Sequence, residues 1–268
     1  MKGRRFANTM SAVSNERWLY GVHPVTAWLR ARPSCVRSVA YADGSHQSPR
    51  ARAALQLAEQ AGISIESVPP RRLEEITGTH RHQGLAARCD PFPYASMDDV
   101  IALETPVILV IDQLQDPQNL GAILRSCDAS GTRAVILPKD GTVGITPLVE
   151  AAAAGAAAFV QVCRVTNLVR SIELLKQNNY WVAGLAVGAA GNLFEMEMPG
   201  RIALVLGGES GLRRLVLESC DLRFSIPMYG AVESLNASVA AAVALFELRR
   251  RSEQASRSGE QMAEPARR

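Results

Sequence analysis

Five polar residues in three separated stretches could carry chemistry. In "DQLQDPQNLGAILRSCDASG" (112–131), Asn119 and Gly121 fall in a turn, and Arg125 comes about one helical turn into the helix that follows. A guanidinium at such a mouth can hold a phosphate through two parallel hydrogen bonds. The plainer reading is that Asn119 caps the helix and Arg125 is a surface residue. In "ALVLGGESGLRR" (203–214), paired glycines allow close backbone approach to a ligand, and Glu209 can accept hydrogen bonds from hydroxyl or amino groups. A simple strand-to-helix turn is the alternative there. In "IPMYGAVESLNASVAAAVALFELRRR" (226–251), Asn236 suits the N-cap of a helix, which leaves Ser234 without an assigned role.

The elements that must position these residues form an α/β series. "VILVID" (107–112), "RAVILP" (133–138), "WVAGLAV" and "IALVLG" are continuous apolar runs, as expected of parallel strands buried on both faces. "LRFSIP" is a further strand. Each of the three polar stretches follows one of these strands, where open α/β sheets place ligands. "TPLVEAAAAGAAAFVQV" is helix-forming and rich in small residues, "VTNLVRSIELLKQNNY" an amphipathic helix, and "LRRLVLESC" another helix. The final helix is apolar on several sides (Val239, Val243, Leu245, Phe246) and is expected to be largely buried.

Upstream, "VRSVAYAD" (36–43), "ISIESVP" (63–69) and "HQGLAARC" read as strands, with helices over 49–62 and "PRRLEEITG". This is a small α/β unit spanning 18–89, whose arginines at 50, 52, 71, 72, 81 and 88 suggest a basic face. "DPFPYASMDDV" opens a linker placed at 90–104, leaving 105–251 as the second unit. Residues 1–17 are read as a flexible arm and 252–268 as a disordered tail of almost no apolar content.

Bulk composition narrows the classes. Apolar residues at 47% with 21% charged fit a soluble globular chain, and a net charge of +3 permits a nucleic-acid partner without demanding one. Five scattered cysteines, without a C-x-x-C pair, suggest neither a zinc site nor a disulfide framework; reduced thiols in the cytoplasm fit best. No apolar run reaches the roughly 18–20 residues that span a bilayer. The fingerprint G-x-G-x-x-G is absent, which weakens a dinucleotide-dependent oxidoreductase.

Taken in order, "DPQNLGAILRSCDASG", "ALVLGGESGLRRLVLESCD" and "SIPMYGAVESLNASVAAAVALFE" resemble the three motifs of the SpoU family of RNA ribose 2'-O-methyltransferases, within the SPOUT superfamily. "LYGVHPV", "HQGLAAR" and "VTNLVRSIELL" extend the likeness over most of 18–250, nearest to the branch that methylates guanosine in bacterial 23S rRNA. The resemblance implies an α/β-knot domain, with a C-terminal trefoil knot, behind a ribosomal-protein-like RNA-binding unit. It implies S-adenosylmethionine as cofactor, held by Gly207, Gly208, Ile226 and Leu235, a homodimer, rRNA as partner and no metal. Carried over by position, Asn119, Arg125, Glu209, Ser234 and Asn236 form the catalytic set, with Arg125 on a phosphate and oriented by Asn119. A tRNA ribose methyltransferase and a catalytically inactive RNA-binding assembly factor are the alternatives. Two departures stand out: "GGESG" is one residue shorter than the usual G-x-E-G-x-G, and "VEAAAAGAA" (149–157) replaces a stretch where relatives often carry Lys or Ser.

Overall fold

The computed structural model describes residues 17–45, 48–196 and 200–263. The amino-terminal unit runs β1 (Arg17–Tyr20), α1 (Val22–Ala31), β2 (Val36–Ala42), α2 (Pro49–Gln60), β3 (Ser64–Val68), α3 (Pro70–Thr77) and β4 (Leu85–Cys89). Its sheet is ordered β1-β4-β2-β3. β2 and β3 are parallel across α2, and β4 is antiparallel to both of its neighbours. The arginines at 50, 52, 71, 72 and 81 are exposed, whereas Arg88 is half-buried within β4.

The stretch expected to be a linker is ordered. It carries α4 (Met97–Ala102), started by a capping box in which Ser96 and Asp99 satisfy each other's backbone N–H. Val100 is fully buried, and Ala95 bridges to Cys163 of the second sheet. Residues 90–93 form no helix or strand, as their turn-forming composition suggests, yet Phe92 is buried in the core beside Trp28; the residues after them pack with the second unit.

That unit runs β5 (Val107–Asp112), α5 (Pro117–Ser130), β6 (Ala134–Pro138), α6 (Pro147–Ala152), β7 (Gln161–Val165), α7 (Leu168–Gln177), β8 (Tyr180–Leu185), β9 (Gly191–Asn192), β10 (Arg201–Gly207), α8 (Arg214–Glu218), β11 (Leu222–Ser225) and α9 (Ala237–Ala263). Seven strands lie in the order β7-β6-β5-β10-β8-β11-β9, and every pairing is parallel. Alternation within the apolar runs decides which face each residue takes. Leu109, Ile111, Val135, Leu204 and Leu206 join the core that α5 and α9 cover. Ile108, Val110, Ile136, Ala203 and Val205 join the opposite core with Val100, Leu168 and Ile172. Each such fully buried aliphatic side chain contributes roughly 1.5–3 kcal/mol.

The alanine-rich stretch is not one helix. α6 stops after six residues, Ala154 (φ 52°) and Gly155 (φ 100°) turn the chain left-handed, and β7 follows. A Cβ on Gly155 would lie 2.6 Å from Ala27 Cβ, so the break falls where α1 bears on the second unit. One apolar core accordingly runs through both units, with Trp28 and Leu85 of the first in the same cluster as Leu109 and Leu204 of the second.

Where the ends of the chain are described, they depart from expectation. Arg17 belongs to β1 and pairs opposite Cys89; residues 1–16 lie outside the described residues. The Arg17 guanidinium sits 4.3 Å from the Trp28 ring centroid and 3.3 Å from Glu150, whose side chain is 1% exposed. Glu150 thus faces the other unit rather than any surface that could touch RNA. At the far end, α9 passes Arg251 and continues to Ala263, where a disordered tail was expected. Arg249–Glu253 and Arg250–Gln254 pairs, each spanning one turn, add roughly 0.2–0.5 kcal/mol apiece to the turn that passes Arg251. Arg251 also donates to the carbonyls of Leu193 and Met196, tying α9 to the segment after β9.

α9 is not buried all round: Ala241, Ala244, Leu245 and Leu248 face the core, but Val239 and Phe246 are about half exposed. Among the described residues, no helix is long and apolar enough to cross a membrane, and no group of three or more His, Cys, Asp or Glu could hold a metal. All five cysteines are free thiols, and burial pushes Cys89 up to about 12 and Cys220 up to about 11.

Candidate active site

Because β5, β10 and β11 are parallel, their carboxyl ends open on one side of the sheet and bring the three polar stretches together. The first contact between them is structural. Asp112, at the end of β5, is fully buried and accepts from the Arg213 backbone N–H at 3.0 Å and from its Nε at 2.8 Å. Its backbone carbonyl accepts from Gly208 N–H. Sequence reading passed over Asp112 and Arg213; the signal was a carboxylate ending an otherwise apolar strand.

The paired glycines have a second reason besides the one expected. A Cβ on Gly207 would lie 2.2 Å from the Gly211 carbonyl carbon, and one on Gly208 would lie 2.1 Å from the Gln113 carbonyl oxygen. Backbone packs on backbone here, with Gln113 held left-handed at φ 56°. The glycines let the two loops cross as well as line the cavity.

The cap of α5 is Asp116, which accepts from Gln118 N–H, with Pro117 at the first helical position. Asn119 lies inside the helix, 9% exposed, and is therefore free of the capping role. Its neighbour Gly121 packs against α6, where a Cβ would meet Ala152 Cβ at 2.4 Å. Asn236 does cap α9, as expected: its Oδ1 accepts from Ser238 N–H at 2.8 Å.

That cap orients a relay. A backbone N–H can only donate, so Asn236 Oδ1 faces Ser238 and Asn236 Nδ2 must point the other way. It donates to Asn119 Oδ1 at 3.0 Å, and Asn119 Nδ2 donates to Glu209 Oε1 at 3.2 Å. One polarised chain therefore links the third stretch to the first and the first to the second. Asn119 spends its carboxamide on Asn236 and Glu209, not on Arg125 as expected.

The relay borders a cavity of about 1060 Å³, just above the roughly 300–1,000 Å³ usual for small-molecule sites. Leu185, Gly207, Ile226, Leu235 and Ala240 give it apolar and backbone walls. Asn119, Gly208, Glu209, Ser234 and Asn236 also line it, and the Ser234 hydroxyl makes no hydrogen bond among the described residues. Arg125 does not line it. That residue is exposed, more than two turns along α5, and makes no ion pair among the described residues.

A parallel α/β sheet with a cavity at its carboxyl edge, and a polar relay beside that cavity, is the arrangement in which open α/β folds take small-molecule ligands. The chain belongs to the SpoU rRNA Methylase family, whose model matches residues 106–246. A second model, described as RNA 2'-O ribose methyltransferase substrate binding, matches residues 18–95. The chain is 43% identical over 239 residues to a 23S rRNA (guanosine-2'-O-)-methyltransferase RlmB of Ralstonia nicotianae, covering 88% of this chain and 96% of the relative. A protein of the same name from Nitrosomonas europaea is 39% identical over 251 residues, covering 92% and 96%. In fold, the chain superposes on the SpoU methyltransferase AviRb of Streptomyces viridochromogenes, solved with AdoMet, with a TM-score of 0.76. That match has 22% identity and covers 90% of this chain and 92% of that one.

Proposed function

We propose that this protein transfers a methyl group from S-adenosylmethionine to the 2'-hydroxyl of a guanosine in 23S-type rRNA. The observation that carries the reading is the Asn236–Asn119–Glu209 relay, which draws all three family motifs to the mouth of one cavity. The activity carried in the names of the RlmB relatives supports the choice of base and RNA.

The cavity suits the cofactor. Leu185, Ile226, Leu235 and Ala240 offer apolar walls to an adenosine, and the glycine crossing leaves main-chain groups at its edge. When bound, S-adenosylmethionine supplies an electrophilic methyl on a cationic sulfur. The rest falls to the chain's own groups, mostly as positioning, which is the largest lever in a two-reactant displacement. Asn119 holds one Glu209 oxygen, leaving the other to accept from the ribose hydroxyl. Ser234 and Asn236 fix ribose and loop. A guanidinium keeps its proton in proteins and is no base; Arg125 binds a backbone phosphate, and the proton leaves to phosphate or water.

In this reading, 18–89 binds RNA through its exposed arginines, and 105–251 carries the reaction in a trefoil-knotted chain. The exposed Val239 and Phe246 on α9, which packs along the helix α5 that bears Arg125, suit a homodimer whose partner completes the substrate groove. A monomer mass in solution at micromolar concentration would remove that part. A ribosomal RNA substrate and free thiols support a cytoplasmic location.

The test offers labelled S-adenosylmethionine with 23S rRNA and bulk tRNA in competition, both from a strain lacking the enzyme. Label should enter the rRNA. Label confined to tRNA would favour the tRNA alternative, and tight RNA binding with no transfer would favour an inactive assembly factor.

A further inference from the structure

A second cavity, of about 470 Å³, opens beside the first and shares Glu209 and Ser210 with it; Gln113, Gln115 and Asp116 complete its lining. We propose that it receives the base of the target nucleotide and that Asp116 reads the Watson–Crick edge of guanine. The inference rests on the ribose methylation proposed above. A base is carried on the ribose carbon next to the one bearing the 2'-hydroxyl. With the ribose at Glu209 and Asn119, the base has to lie beside the reaction centre, and this cavity adjoins Glu209.

The lining chemistry selects among possible occupants. No Lys or Arg lines the cavity, so it does not suit a phosphate. No aromatic side chain lines it either, so recognition there must come from hydrogen bonds to a base edge. Guanine presents N1–H and the 2-amino group side by side, two donors that one carboxylate can accept together. Adenine and cytosine turn a lone pair toward the same position, which a carboxylate repels. Asp116 Oδ1 accepts from Gln118 N–H, while its second oxygen has no partner among the described residues. Gln113 and Gln115 bring carboxamides that can donate to guanine O6. The walls are fixed: Gln113 is held left-handed with its carbonyl against Gly208, and the Asp112–Arg213 pair ties the adjoining loops.

Asp116→Asn separates base reading from helix capping, because Asn is as good an N-cap as Asp but replaces an acceptor by a donor. Steady-state transfer is measured on rRNA fragments carrying guanosine, or inosine, which lacks the 2-amino group, at the target position. Unaltered protein should lose about tenfold or more in kcat/KM with inosine. Asp116→Asn should lose a similar factor on guanosine and bring the guanosine-to-inosine ratio close to one, with cofactor affinity and thermal midpoint unchanged. Transfer by the unaltered protein with no preference for guanosine over inosine would overturn the base pocket alone. So would an Asp116→Asn variant that keeps the preference. Failure of the unaltered protein to methylate guanosine RNA at all would overturn the parent reading, and the pocket with it.

Discussion

Asn119→Asp should lose methyl transfer more completely than Asn119→Ala. Alanine removes both relay bonds and lets Glu209 and Asn236 drift, and misplacement of about 1 Å can cost around a hundredfold in rate. Aspartate keeps the size but turns the donor facing Glu209 into an acceptor and sets two carboxylates against each other, 9% exposed at the Asn119 side. Expelling Glu209 from the cavity mouth should cost roughly tenfold beyond the alanine variant, as removal of a charged-group hydrogen bond does. Cofactor affinity should be nearly unchanged in both, since the apolar and backbone walls are untouched. Single-turnover rates and calorimetric cofactor binding check this; an aspartate variant as active as the unaltered chain would refute the relay.

The largest expected loss of stability lies far from the cavity, at Arg17. Removing one partner of a buried ion pair leaves the other charge uncompensated, a cost of about 3–5 kcal/mol. At about 2–4 °C per kcal/mol for a large domain, Arg17→Met should lower the thermal midpoint by roughly 6 °C or more. Burial pushes the Glu150 carboxyl up from 4.5 to about 7, and the Arg17 charge only partly opposes it. The folded chain therefore binds this proton more tightly than the unfolded chain does. Between 4.5 and about 7, Glu150 makes stability fall as pH rises. The Arg17→Met penalty should be greatest above pH 7, where Glu150 is ionised, and smaller near pH 5.5, where it is protonated. Thermal melts across that range, with Glu150→Gln as the control that flattens the dependence, decide the matter; a penalty independent of pH would contradict the pairing.

Much of this architecture can be read from patterns in the chain. The β5, β6 and β10 strands are near-continuous apolar runs because both faces of the sheet are covered, and runs so short suit a strand better than a helix. Asn236 is legible as a cap because a polar residue before an apolar helix has few other uses. β7 was hidden, since "FVQV" follows an alanine run whose helix propensity gives no sign that Gly155 must pass under α1. The positions of Glu150 and Arg17 were equally hidden, because partners 133 residues apart leave no local signal. The reach of α9 was missed for the opposite reason: low apolar content suggested disorder, but a helix already anchored on the core can run on past its last buried residue. Within the site, Asn119, Glu209, Ser234 and Asn236 meet at one cavity. Arg125 does not, because helical geometry, rather than motif order, sets the direction in which it points.

The decisive measurement is the position of the methyl group on the product. RNA from the reaction with 23S rRNA lacking the modification is digested to nucleosides and analysed by mass spectrometry, with primer extension to locate the site. A single 2'-O-methylguanosine, absent with Asn119→Ala, is the expected result. A methyl on a base, a ribose methyl on another nucleoside, or transfer unaffected by Asn119→Ala would contradict the reading of these three loops as one ribose-methylating site.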